Sequence, residues 1–136
     1  LKKNGAIWVI GSYHNIFRVG KKIQDLAKIL YDNLNEKAKT YVPKIITNYD
    51  QNCFWHFPIV VENQFREKFQ THLMKKGYDV VGYGLKLCNE EVAFGNYKSM
   101  LEKAKLLHEN TLFLPLFDNL NNSEIKRIAK NINLFF

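Results

Sequence analysis

Apolar positions along this chain follow two periods, and the switches between them outline its elements. Ile23, Leu26, Ala27, Leu30, Tyr31, Leu34 and Ala38 form one stripe at helical spacing, with Lys, Asp and Glu on the other faces. This predicts a long amphipathic helix over about residues 21–39. Pro43 cannot continue it and biases Val42 toward extended geometry. Before it, Ala6 to Ile10 reads as a short buried strand bounded by Gly5 and Gly11. Lys44–Tyr49 and Cys53–Val61 read as two strands around the turn Tyr-Asp-Gln-Asn. Pro58 makes the second of them an edge strand, because proline donates no ladder hydrogen bond.

A second helix runs through Phe65, Phe69 and Leu73, with Asn63 as its cap and Gly77 as its stop. Tyr78–Tyr83 then reads as a strand, 85–95 as a loop, and Tyr97 to Leu107 as a third helix capped by Asn96. The last quarter opens on an apolar run, Leu112–Leu114, halted by Pro115. A polar turn and a capped helix follow. Asn121 can accept from the Glu124 backbone N–H while the Glu124 carboxylate reaches back, as in a capping box. Ile125, Ile128, Ala129 and Ile132 share one face, which Phe135 and Phe136 extend. Strand, helix and strand with a hairpin in front describe a small α/β layer with helices on one sheet face.

Composition narrows the class. The chain has 136 residues, 46% of them apolar and 14% aromatic, enough for one domain with a real core. It begins at Leu1, which suggests a processed chain or a piece of a longer one. The early apolar run is too short for a signal peptide, whose core needs ~7–15 residues. No run reaches the ~18 residues that span a membrane. Cys53 and Cys88 show no zinc or Cys-x-x-Cys spacing and fit a reduced, cytoplasmic protein. The formal charge of +7 is scattered in pairs such as Lys21-Lys22 and Lys75-Lys76. That reads as a solvated basic surface rather than a phosphate track.

Several chemical motifs fail on spacing. Gly20-Lys21 lacks the glycine that a phosphate loop needs, since Asn15 stands there, and Gly82-Tyr83-Gly84 lacks the third glycine of a dinucleotide fingerprint. His14, His56, His72 and His108 show no metal-ligand pairing. His56 is expected on the opposite strand face from Trp55 and Phe57. Cys88 with His72 or His108 has no third group to orient a nucleophile. Tyr41, Tyr49 and Trp55 offer a base-stacking platform, although strand aromatics usually fill cores.

The order of motifs carries a further reading. Leu114-Pro115-Leu116-Phe117, then Leu120-Asn121, then Glu124-Ile125, resembles the end of the DegT/DnrJ/StrS family of sugar aminotransferases. Trp55-His56-Phe57-Pro58-Ile59-Val60-Val61, Arg66, Leu73 to Tyr78 and Tyr83 are similar to the family's small C-terminal domain. The stripe from Ile23 to Leu34 looks like the helix leading out of the large domain. The resemblance covers residues 18–136 and leaves 1–17 unassigned. Two departures stand out: Leu85-Lys86-Leu87-Cys88 replaces the family's histidine region, and the upstream Asn-x-Arg segment has no match.

The resemblance implies an α/β (α+β) fold: a small two-layer domain with a short, mainly antiparallel sheet covered by helices. It implies a pyridoxal phosphate-dependent enzyme that moves an amino group from glutamate to a keto-sugar nucleotide. The Schiff-base lysine, the acidic partner of the pyridinium and the phosphate cradle would lie in a large N-terminal domain. This chain would then hold no catalytic or cofactor-binding residue and bind no cofactor alone. Its expected partners are that domain, the two substrates and a second copy of the full enzyme. Tyr83, Lys86 and Asn89 are the candidate substrate-binding residues, offering a hydroxyl, a charge for the diphosphate and a hydrogen bond to a sugar hydroxyl. The alternative is a free-standing basic α/β binding module with nucleic acid as its candidate partner.

Overall fold

The computed structural model describes residues 2–82, 87 and 102–136, with the side chains of 2–16 left aside. Helix α1, Lys2–Asp32, is followed by the short α2, Glu36–Lys39, and two 3₁₀ turns, Lys44–Thr47 and Tyr49–Gln51. Strand β1, His56–Val60, leads to α3, Asn63–Lys75, and to β2, Val81–Gly82. Helix α4, Glu102–Asn110, then β3, Thr111–Pro115, and α5, Asn122–Asn133, complete the described elements. This is the expected α+β class with an antiparallel sheet.

The sheet order is β1-β3-β2, and both pairings are antiparallel. The apolar run before the last helix is therefore the central strand. Its alternation matches that of β1: Phe57 faces Leu114 and Ile59 faces Leu112, and all four are buried. Side chains at period two put these on one sheet face. Phe69 and Leu73 of α3, Leu26 and Leu30 of α1, and Ile125, Ile128 and Ile132 of α5 join them in one core. Pro58 is tolerated because β1 is an edge.

α5 starts as its sequence requires. Asn121 Oδ1 accepts from Ser123 and Glu124 N–H, both at 3.0 Å, and Asn121 N–H donates to Glu124 Oε2 at 2.8 Å. α3 stops at Gly77, whose φ of 85° suits glycine. Gly77 N–H donates to Met74 O and Tyr78 N–H to Leu73 O, the paired bonds of a Schellman turn.

Five local expectations are corrected. Residues 6–10 lie within α1 rather than in a strand. Ala6, Val9, Ile10, Tyr13, Ile16 and Phe17 continue the 3–4 spacing, and glycine only weakens a helix. The 21–39 stripe is divided between α1 and α2. Asn35 N-caps α2, and Asn133 accepts from Asn35 N–H at 2.8 Å and donates to Asn33 O at 2.9 Å, fixing the break. Residues 44–49 form 3₁₀ turns, so no hairpin precedes β1. There Asn52 Nδ2 donates to Ile45 O and Asn48 O at 2.9 and 2.7 Å, and Thr47 Oγ1 to Lys44 O at 2.7 Å. Such local bonds outcompete a strand ladder. Asn63 is the first helical residue of α3, Glu62 being the cap position, without a side-chain cap bond. The strand expected over 78–83 is only Val81–Gly82 among the described residues, where the central strand faces it. Asn96 lies outside the described residues.

Candidate functional site

β2 positions the predicted loop. Gly82 pairs with Leu112, so it lies on the core side of the sheet. Beneath it runs Arg66, in the first turn of α3 and only 4% exposed. A Cβ on Gly82 would lie 2.8 Å from Arg66 Cζ and collide with its guanidinium. Glycine at 82 thus makes room for a buried cation where the chain leaves the sheet. A lone arginine on a helix reads as solvated in sequence; the facing glycine is the signal that it is not. Tyr83, Lys86 and Asn89 lie outside the described residues, as does Cys88.

The aromatic platform is not assembled. Tyr41 stacks on Phe136, with ring centroids 4.2 Å apart, and Tyr49 packs against Phe54. Trp55 is 83% exposed. Its ring lies 5.7 Å from that of His56 at 12°, so these two share a side, against expectation. The turn just before β1 breaks the alternation assumed there. His72 bonds Asn131 O of α5 at 2.9 Å, a structural role. Among the described residues no group of His, Cys, Asp and Glu could hold a metal, and no helix is long and apolar enough to cross a membrane.

Charged groups decide what cofactor the described residues suit. Every lysine with a described side chain is exposed except Lys39. Lys39 Nζ bonds Glu36 Oε1 at 2.9 Å and lies 5.6 Å over the Tyr31 ring. The Glu36 bond raises its pKa, against a smaller lowering by desolvation. A Schiff-base lysine needs the opposite shift, so Lys39 does not suit that role. Burial pushes the Tyr49 phenol up to about 12, helped by Asp32 and Tyr31.

Two comparisons bear on this geometry. The model of the DegT/DnrJ/EryC1/StrS aminotransferase family matches residues 13–133. The solved structure of a Bacillus cereus ATCC 10987 protein described as a PLP-dependent aminotransferase superposes with a TM-score of 0.66 at 17% identity. That match covers 93% of this chain and 34% of that one, so the chain spans about a third of its length. At this identity the likeness establishes the fold.

Proposed function

Because the chain belongs to the DegT/DnrJ/EryC1/StrS aminotransferase family, we propose that it is the C-terminal domain of a pyridoxal phosphate-dependent sugar-nucleotide aminotransferase. The full enzyme would move an amino group from glutamate to a keto-sugar nucleotide for deoxyamino-sugar or polysaccharide synthesis. It would work in the cytoplasm as a homodimer. The cofactor would sit in the large N-terminal domain and supply the electron sink for the transfer. Residues 18–136 are the aminotransferase-like unit in this reading, and 1–17 stay unassigned.

The observation that carries this is the family match over residues 13–133. Exposed lysines in the described part support the assignment of the cofactor to another domain. The loop after Gly82 is the part assigned to substrate: Tyr83 and Asn89 would hydrogen-bond the sugar, and Lys86 would pair with the diphosphate.

The test compares two preparations. The 136-residue chain alone should form no borohydride-reducible adduct with pyridoxal phosphate at a specific lysine. The product of the whole coding sequence should form one and transfer nitrogen from glutamate to a keto-sugar nucleotide. In that product, Lys86→Ala and Asn89→Ala should raise KM for the sugar nucleotide more than for glutamate. Specific labelling of the short chain would overturn the domain assignment, and an unchanged KM in both variants would overturn the loop's role.

A further inference from the structure

Helices α3 and α5 pack on the same core and meet through side chains. His72 Nε2 donates to Asn131 O, and Asn131 Nδ2 to Tyr78 OH, both at 2.9 Å. Further along the contact, the rings of Phe69 and Phe135 lie 4.9 Å apart. The two helices therefore run in opposite senses where they meet. Residues one helical turn apart share a face, so Lys68, Lys75 and Lys76 flank His72 on α3. On α5, Arg127 and Leu134 flank Asn131, and Lys130 lies one turn beyond Arg127. Cations from two separate stretches of sequence thus converge on one outer surface.

These cations are all exposed, and none has an ion pair among the described residues. Elsewhere lysines are matched: Lys21, Lys39 and Lys105 lie 3.5, 2.9 and 3.8 Å from an acid. Few acids border the surface. Glu124, one turn before Arg127, is tied to Asn121 N–H at 2.8 Å, and Asp79 stands at the rim beside Tyr78. Glu67 is turned about 100° around α3 from Lys68. The surface is net cationic. At the end away from Lys76 and Arg127, the apolar Phe65 and Leu134 remain open to solvent.

We propose that this face docks on an anionic lipid surface, its cations on headgroup phosphates and Phe65 and Leu134 at the hydrocarbon boundary. Attraction to anionic headgroups and burial of exposed apolar groups are the two terms of interfacial binding. A nucleic acid fits the face less well. Two helices abreast, each ~10–12 Å across, are wider than the ~12 Å major groove. Leu134 gains nothing from a phosphate backbone, and the rings of His72 and Tyr78 are held by Asn131. The proposal rests on this face alone and does not depend on the transfer reaction.

The 136-residue chain is sedimented with vesicles of phosphatidylcholine alone and of an equimolar mixture with phosphatidylglycerol. It should bind the mixed vesicles, fail on pure phosphatidylcholine and release as salt rises. Lys75→Gln, Lys76→Gln and Arg127→Gln together should weaken binding about a hundredfold, each cation contributing about fivefold. Leu134→Ser should weaken it about fourfold, the worth of one CH₂ in hydrocarbon. A control of equal charge combines Lys28→Gln, Lys37→Gln and Lys44→Gln, exposed positions on α1, α2 and the first 3₁₀ turn. It should lose less than about fivefold, the worth of a single cation at the surface. Urea midpoints should match that of the parent chain, because every substituted residue is exposed.

Absence of binding to the mixed vesicles would overturn the proposal. So would an equal loss in the control variant. A DNA duplex that binds more tightly than the vesicles, and is lost with the same three substitutions, would overturn it in favour of nucleic acid.

Discussion

Helices α4 and α5 flank the central strand, and both carry apolar residues at helical spacing, yet they fare differently. α5 buries Ile125, Ile128, Ala129 and Ile132 completely or nearly so. α4 buries nothing, and Leu106 and Leu107 remain 59% and 54% exposed. Periodicity reports that a face suits an apolar neighbour; whether the neighbour is present depends on the rest of the fold. α5 finds the sheet, α1 and α3, whereas α4 stands at the margin of the described core.

Substitutions can break this contrast. Ile128→Ala should cost about 2–4 kcal/mol, read as a shift in urea midpoint, because it leaves a cavity in the shared core. A neutral result would mean that α5 is not docked. Asn121→Ala should cost about 1 kcal/mol by removing the acceptor that caps two N–H groups.

Tyr49 sharpens the contrast from the polar side. Its hydroxyl is buried and has no hydrogen-bond partner, whereas both reciprocal bonds of the α5 capping box are formed. Tyr49→Phe should therefore stabilise by about 1 kcal/mol. Burial raises the folded-state pKa to about 12, above the ~10 of an unfolded tyrosine. The neutral phenol is the folded form, so its contribution is complete below ~10 and fades between there and about 12. Denaturant melts across that window should fall less steeply for Tyr49→Phe. The smallest effect belongs to α4: Leu106→Ala should stay within about 0.5 kcal/mol, and a loss as large as that of Ile128→Ala would erase the distinction.

What could be read from the sequence follows the same division. The capping box, the α5 face, the glycine stop of α3 and the edge character at Pro58 are rules complete within a few residues. Misreadings arose where several local rules compete. Ile45, Ile46 and Thr47 favour strands, but Asn48 and Asn52 turn their segment into 3₁₀ coils through bonds to carbonyls. Leu112 to Pro115 looked like a run stopped by proline. Its place in the centre of the sheet depends on partners far along the chain, Val81 and Gly82 of β2 on one side and the whole of β1 on the other, Pro115 itself facing His56. Arg66 was visible as a motif residue, but its burial depends on Gly82 coming to rest above it. The candidate loop was legible only at its root, where β2 ends.

The central position of β3 also sets an order of events. β1 and β2 pair with β3 and not with each other. The chain emerges from the ribosome N-terminus first, so both outer strands appear long before the strand that joins them. Loop closure over such distances makes folding slower than in a bundle of local contacts. The clasp between Asn35 and Asn133 spans 98 residues and can form only when α5 is out. A ribosome that has released residues 1–110 has delivered two sheet edges and nothing to zip them together, a state in which exposed strands invite wrong partners.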